Sequence, residues 1–212
     1  MDVGLNENKD QLTGIEELKI SITADEINSL PLRTFDGKTS VISNPDQLGK
    51  IVKEIESYEV VGFDTETRPS FRKGQIFQVS LLQLAIPKKV FLIRLHHTGV
   101  TEELASLFSN RKIIKAGVGI RDDLKSLQKL RPFDPASCFD LSLLAKQAGL
   151  QVESVKKLTA LLLGFRISKS AQTSNWEVAT FTQKQIEYAA TDAWVCLELF
   201  HKLKPKNNPV LS

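Results

Sequence analysis

Residues 59–65 read EVVGFDT, and this stretch decides the fold. Apolar and β-branched residues dominate it, which predicts a buried β-strand. Because side chains alternate along a strand, Asp64 and Glu66 share one face, opposite Phe63. Two carboxylates on one face of a buried strand repel each other unless the strand end reaches solvent or a cation lies between them. Carboxylate oxygens suit Mg²⁺ and Mn²⁺. At this point the pair has two interpretations, a strand end in solvent and a metal site.

Strands and helices alternate on either side of this stretch. The hydrophobic patterns predict further strands at residues 38–42, 78–85, 90–95 and 112–116, and helices at about 24–30, 46–57, 101–108, 120–130, 140–148, 153–163 and 183–203. The short connection between the strands at 78–85 and 90–95 predicts an antiparallel hairpin. After residue 138 only helices are predicted. The pattern indicates an α/β protein with a mixed sheet flanked by helices and a helical C-terminal half.

The composition excludes several classes of protein. The chain has 212 residues, a formal net charge of +3, 42% hydrophobic residues and 25% charged residues. These values are typical of a globular domain and exclude a disordered chain, a fibre and a membrane bundle. The two cysteines, Cys138 and Cys196, do not lie in a metal-binding pattern, which favours a reducing compartment. The N-terminus lacks a secretory signal, so we expect a cytoplasmic protein, or a nuclear one in a eukaryote, without a membrane partner.

A second acidic site follows the predicted strand at 112–116. The segment IIKAGVGIRDDLKSL begins at Ile113 and predicts a strand, a glycine turn and a helix. Its glycines resemble the start of a dinucleotide fingerprint, but Asp122 stands where the third glycine belongs, and acids there would repel a pyrophosphate. Asp122 and Asp123 could simply favour the helix N-terminus. In the metal interpretation, one of them turns inward toward Asp64 and Glu66.

A third site lies on the last predicted helix, in the sequence IEYAATDAW. Tyr188 and Asp192 are one helical turn apart and share a face. The neighbouring alanines allow that helix to approach another element closely. A buried aspartate needs a hydrogen-bond partner or a cation, so a structural hydrogen bond and a functional pair are both open.

Taken together and in order, the segments FDTE (63–66), GVGIxxD (117–123) and YxxxD (188–192) resemble the three motifs of the DEDD exonuclease superfamily in its tyrosine-bearing branch. SNW at 174–176 and YAATDA at 188–193 are most similar to the Werner-type and ribonuclease D group. The resemblance implies a ribonuclease H-like fold. The polar, mixed sequence outside the motifs predicts an N-terminal extension over residues 1–35 and a flexible tail over 205–212, which leaves an exonuclease domain over 36–204.

The resemblance also implies an activity and its residues. Asp64, Glu66, Asp123 and Asp192 would hold two divalent ions, Mg²⁺ or Mn²⁺, and Tyr188 would orient the attacking water. The implied partner is a nucleic acid with a 3′ end, DNA favoured over RNA, from which nucleoside 5′-monophosphates are released. A catalytically inactive binding or scaffold module is the alternative. The adjacent Asp122 departs from the pattern and leaves a shift of one residue open.

Basic and aromatic residues near the first motif are candidate substrate contacts. Arg68, Arg72 and Lys73 could contact phosphates, and Phe77 could stack on a terminal base, although a solvated loop explains them equally well. Arg166 and Lys169 form a second basic candidate, in the loop that precedes Trp176. Trp176 itself is predicted to anchor the core rather than to stack on a base.

Overall fold

The computed structural model describes residues 19–70 and 74–204. Within them a single six-stranded sheet has the order β1-β4-β3-β2-β5-β6. Its strands are β1 (Lys38–Ile42), β2 (Val60–Thr67), β3 (Val79–Ile86), β4 (Lys89–Arg94), β5 (Ile114–Gly117) and β6 (Cys138–Asp140). The strands β2, β3 and β4 are antiparallel neighbours, whereas the β1–β4, β2–β5 and β5–β6 pairs are parallel. The mixed sheet and the predicted hairpin are therefore confirmed.

Helices cover both faces of this sheet. They are α1 (Ala24–Ser29), α2 (Leu48–Ile55), α3 (Leu95–Thr98), α4 (Glu102–Ser109), α5 (Ile120–Gln128), α6 (Leu141–Gln147), α7 (Val155–Leu163) and α8 (Gln183–Leu203). On one face, Val61 and Phe63 of β2 pack among apolar residues of α2, α4 and α5. On the other face, Leu81 of β3 packs against Tyr188 and Ala189 of α8. The sheet thus lies between two helical layers, as an α/β fold requires.

The sixth strand corrects the prediction that only helices follow residue 138. β6 pairs in parallel with β5, with Cys138 opposite Lys115 and Asp140 opposite Gly117. Three residues are too few to display an alternating pattern, so the sequence does not predict this strand. Its strand conformation depends on the pairing with β5. Asp140 then caps α6, because its carboxylate accepts a hydrogen bond from the Ser142 amide at 2.9 Å.

The described part of the predicted N-terminal extension packs on the domain. Leu32 forms a β-bridge with Arg166, and Phe35 is buried. The Phe35 amide donates to Thr191 Oγ1 on α8 at 3.0 Å. Residues 1–18 and the predicted tail at 205–212 lie outside the described residues. Of the described helices, none combines the length and the hydropathy that a membrane crossing needs.

Candidate active site

Three acidic side chains meet where β2 passes under α8. Asp64 and Glu66 lie on the carboxyl-terminal half of β2, and Asp192 is buried on α8. One carboxylate oxygen from each residue lies within 4.8 Å of the others. The alternation of β2 turns the first two acids toward α8, and the periodicity of α8 turns the third toward β2.

Asp123 is the fourth acid, and it approaches from α5. Its Oδ1 accepts a hydrogen bond from the hydroxyl of Thr65, the residue between Asp64 and Glu66, at 2.7 Å. Asp123 is half-buried, whereas the Asp122 side chain is 87% exposed and pairs with Lys125 at 3.0 Å. Of the two neighbouring aspartates, Asp123 is the one whose charge raises the pKa of Asp64 and Glu66, although it is not among the three carboxylates that converge within 4.8 Å, and Asp122 faces solvent.

Burial raises the pKa values of all four acids, and repulsion by neighbouring acids of the cluster adds to it at Asp64 and Glu66. Burial raises the pKa of Asp64 well above its usual range, and the charges of Asp192, Glu66 and Asp123 raise it further. Burial is also the largest cause at Glu66, whose pKa rises to about 9. It raises the pKa of Asp192 to about 7 and that of Asp123 to about 6. Packing so many carboxylates together is unfavourable unless a cation neutralises them.

The donor set fits divalent cations. Carboxylate oxygens are hard ligands, which Mg²⁺ and Mn²⁺ prefer over the nitrogen and sulfur ligands that favour zinc. The convergent oxygens of Asp64, Glu66 and Asp192 provide a first set of ligands, and Asp123 adds a fourth carboxylate beside them. Metal chemistry is therefore compatible with the residues present.

Tyr188 stands over this cluster, one turn before Asp192. Its hydroxyl lies close enough to the Asp192 carboxylate to lower the pKa of that carboxyl. Burial, followed by the negative charges of Asp192 and Glu66, raises the pKa of the Tyr188 phenol far above its usual value. The hydroxyl therefore stays protonated and can donate a hydrogen bond, but it cannot act as a base.

A cavity of about 310 Å³ opens against the acids and Tyr188. Its other wall comes from the start of α7 and from the loop that precedes α8, and its lining includes Ser154, Lys156, Ser168, Lys169 and Gln172. The positive charge of Lys169 lies close enough to Asp192 to lower the pKa of that carboxyl, against the larger effect of burial. The cavity thus has an acidic side and a basic side.

The predicted substrate contacts have separate locations. The Arg68 guanidinium pairs with Glu177 at 3.2 Å and lies over the Phe77 ring, with 4.8 Å between its Cζ and the ring centroid. Arg72 and Lys73 lie outside the described residues. Arg166 has a structural contact instead, because its Nε donates a hydrogen bond to the carbonyl oxygen of Leu30 at 3.0 Å. Lys169 is thus the one member of the second basic pair that lines the cavity.

Two buried residues beside the acids were not predicted as part of the site. Gln83 lies opposite Asp64 in the β2–β3 pairing, and Trp176, predicted only as a core anchor, is fully buried beside Tyr188. The Trp176 indole lies close enough to the Glu66 carboxylate to lower its pKa, yet its N–H makes no hydrogen bond of ordinary geometry with a described residue. A signal for Gln83 was available, since it is the one amide in the apolar strand VSLLQLAI.

A family model described as 3′-5′ exonuclease matches residues 39–208, which include every acid of the cluster. The chain belongs to this 3′-5′ exonuclease family. The expected family, the enzyme class and the ribonuclease H-like α/β fold are therefore confirmed. The family implies divalent metals, in agreement with the acidic cluster.

Relatives of this exonuclease-family chain include larger proteins. It is 29% identical over 167 residues to DNA polymerase I of Aquifex aeolicus, covering 79% of this chain and 27% of the polymerase. It is 35% identical over 153 residues to the bifunctional 3′-5′ exonuclease/ATP-dependent helicase WRN of Mus musculus, covering 68% of this chain and 11% of that protein. The chain thus spans about a quarter or less of the length of these two relatives.

Among solved structures, Escherichia coli RNase D superposes with a TM-score of 0.72 at 22% sequence identity. The superposition covers 78% of this chain and 44% of RNase D. At this identity the likeness concerns the fold.

Proposed function

We propose that this chain hydrolyses phosphodiester bonds from the 3′ end of nucleic acid and releases nucleoside 5′-monophosphates with the help of two divalent cations. The observation that carries the proposal is the convergence of Asp64, Glu66 and Asp192, whose carboxylate oxygens lie within 4.8 Å of one another. The intact acids and Tyr188 favour catalysis over an inactive binding module, because such a module has no need for a strained acidic cluster.

DNA is the favoured substrate. One relative in the 3′-5′ exonuclease family is a DNA polymerase, at 29% identity over 79% of this chain. RNase D of Escherichia coli, an exoribonuclease, resembles this chain in fold at only 22% identity and so carries less weight. The digestion experiment therefore uses both DNA and RNA substrates.

Each site residue has a proposed task. When bound, two cations held by Asp64, Glu66, Asp123 and Asp192 would acidify the attacking water and stabilise charge on the leaving 3′ oxygen. The protonated Tyr188 hydroxyl, which lies beside the Asp192 carboxylate, would orient that water. Orientation of this kind lowers the free-energy barrier to hydrolysis, because the entropy cost of aligning the water with the phosphate is met when the substrate binds.

The terminal nucleotide is proposed to occupy the cavity beside the acids. The cavity volume of about 310 Å³ suits one nucleotide, and Lys169 supplies a positive charge on the wall that faces the acids. The first turn of α7 lines the same wall, and its helix dipole adds positive potential there. The Arg68 and Phe77 pair, at the loop after β2, could contact the nucleotides that precede it.

The test is digestion of a 5′-labelled oligonucleotide, as DNA and as RNA, single-stranded and in a duplex. Reactions contain Mg²⁺, Mn²⁺ or EDTA, and Asp64→Ala and Asp192→Ala run in parallel with the exposed-site control Asp122→Ala. We expect a metal-dependent ladder that shortens from the 3′ end in the wild type and the control and is lost in both site variants.

Two results would contradict the proposal. Binding of the oligonucleotide without shortening under any metal would support the inactive module. Shortening that persists unchanged in both Asp64→Ala and Asp192→Ala would identify a contaminating nuclease.

A further inference from the structure

Gln83 is a buried amide without a hydrogen-bond partner. It lies in the middle of β3, its side chain is fully buried, and neither Oε1 nor Nε2 reaches a partner among the described residues. Every other residue of β3 except Ser80 is apolar. A buried polar group that forms no hydrogen bond loses its hydration and gains nothing in return, so its presence in a strand core needs a reason.

The strand pairing indicates what that reason is. Asp64 of β2 and Gln83 of β3 are directly opposite in the antiparallel register. Cross-strand partners have Cβ atoms about 5 Å apart and point to the same face, so the longer glutamine side chain can reach the aspartate carboxylate. The alanines of α8 cover this face, and the residue opposite Gln83 on the next strand is Leu92. Of the two residues directly opposite Gln83, Asp64 and Leu92, only Asp64 has a side chain that can accept a hydrogen bond.

We infer that Gln83 is a positioning residue: when a divalent cation binds, the amide Nε2 of Gln83, which has no partner among the described residues, would donate a hydrogen bond to the Asp64 carboxylate opposite it and hold that carboxylate in the orientation that binds the cation. The inference rests on the proposed function of the acidic cluster. A carboxylate that ligates a metal through one oxygen leaves its other oxygen free to accept such a bond. The donor keeps its partner fixed without adding another charge to a site that already holds four acids.

Trp176 occupies the corresponding position beside Glu66. The residue opposite Glu66 in the pairing is Leu81, and Leu81, Trp176 and Tyr188 belong to one packed cluster. The centroids of the Trp176 and Tyr188 rings are 6.0 Å apart, and the buried indole Nε1 lies close enough to Glu66 to lower its pKa without making a hydrogen bond of ordinary geometry with a described residue. Each acid of the first motif thus has one buried neutral donor beside it, which a purely structural role would not require.

The test is cation binding to EDTA-stripped protein, measured by titration calorimetry with Mn²⁺ and by the electron paramagnetic resonance of bound Mn²⁺. The variant Gln83→Met keeps the length of the side chain and removes the amide. We expect it to bind Mn²⁺ at least about tenfold more weakly, because loss of a group that orients a metal ligand has this effect. Trp176→Phe keeps the ring packing, removes the N–H and should act in the same direction.

The matched control is Thr159→Val. Thr159 is also fully buried, and its hydroxyl has no hydrogen-bond partner in the part of the chain that the structure describes, but it lies on α7 outside the lining of the acidic cavity. Its variant should bind Mn²⁺ as the wild type does. The urea unfolding midpoint of each variant is measured without metal, and Gln83→Leu replaces Gln83→Met if the latter does not fold.

The outcomes separate the inference from the proposed function. A Gln83→Met protein that folds and binds Mn²⁺ like the wild type overturns the inference, even if the wild type digests DNA. A wild type that binds Mn²⁺ without digesting nucleic acid overturns the proposed activity, while weaker binding by Gln83→Met would still support the positioning role. A wild type that does not bind Mn²⁺ overturns both.

Discussion

Gly62 of β2 and Ala193 of α8 meet backbone to backbone. A Cβ atom at position 62 would overlap the carbonyl oxygen of Ala193 and lie 2.8 Å from the backbone nitrogen of Leu197. This close approach sets the distance between the strand that carries Asp64 and the helix that carries Asp192. Asp64 is two residues from Gly62 on β2, and Asp192 is the neighbour of Ala193 on α8. The acidic cluster therefore requires a small residue at position 62.

The substitution Gly62→Ala should therefore separate α8 from β2. The added methyl group meets backbone atoms, which cannot rotate away, so we expect the free energy of unfolding to fall by more than about 3 kcal/mol. Urea denaturation measures this fall in the free energy of unfolding.

Gly49→Ala is the control. The nearest atom to its new Cβ would be Glu103 Oε1 at 3.9 Å, and the higher helix propensity of alanine should raise stability by up to about 1 kcal/mol. Equal stability in the two variants would contradict the close contact.

The stability of the metal-free protein should fall as the pH rises. The folded-state pKa values of Asp123, Asp192 and Glu66, about 6, 7 and 9, exceed the unfolded values near 4. Through these acids the folded state binds more protons than the unfolded state, so the free energy of unfolding decreases from pH 4 to 8. Above about pH 8 Lys115, whose pKa burial lowers to about 8, opposes the decrease. Urea midpoints at successive pH values in EDTA measure the decrease.

Asp192→Asn should flatten that decrease between pH 4 and 7, because it removes one of the responsible groups. Asp122→Asn, at an exposed position paired with Lys125, should leave the slope unchanged. A rise in stability from pH 5 to 8 in the wild type would show that burial does not raise the pKa values of these acids in the folded protein.

Removal of the Tyr188 hydroxyl should affect turnover more than folding. Tyr188→Phe keeps the buried ring and deletes the hydroxyl that lies beside Asp192, so we expect kcat to fall by about 100-fold, through loss of orientation, and stability to change by only about 1 kcal/mol. Tyr58→Phe is the control, because Tyr58 is exposed before β2. Steady-state digestion kinetics would reveal the effect, and an unchanged kcat would remove Tyr188 from the mechanism.

Loss of the positive charge at Lys169 should weaken substrate binding. Lys169→Ala removes the cation that faces the acids across the cavity, and we expect KM to rise about tenfold at low salt and less at high salt, since phosphate contacts are screened by ions. Lys125→Ala removes a cation that is paired with Asp122 on the surface and should leave KM unchanged. If both variants behave alike, Lys169 has no specific contact with the substrate.

The amino-acid sequence by itself determined the local structure and the candidate acids. Alternation along β2 and periodicity along α8 depend on neighbouring residues, so the sequence alone assigns Asp64 and Glu66 to one shared face and Tyr188 and Asp192 to another. Their catalytic roles, and the domain limits, stay predictions. Short β6 could not be predicted, because three residues carry too little pattern without the strand beside them.

Only the tertiary structure decided which groups meet across elements. The choice between Asp122 and Asp123 depends on the rotation of α5, which the hydrogen bond from Thr65 reveals. The pairing of Gln83 with Asp64 depends on the register of two strands, and a shift of one residue would turn the amide to the opposite face. These relationships join residues that are distant in sequence, and they are set by packing of the whole sheet rather than by local preference.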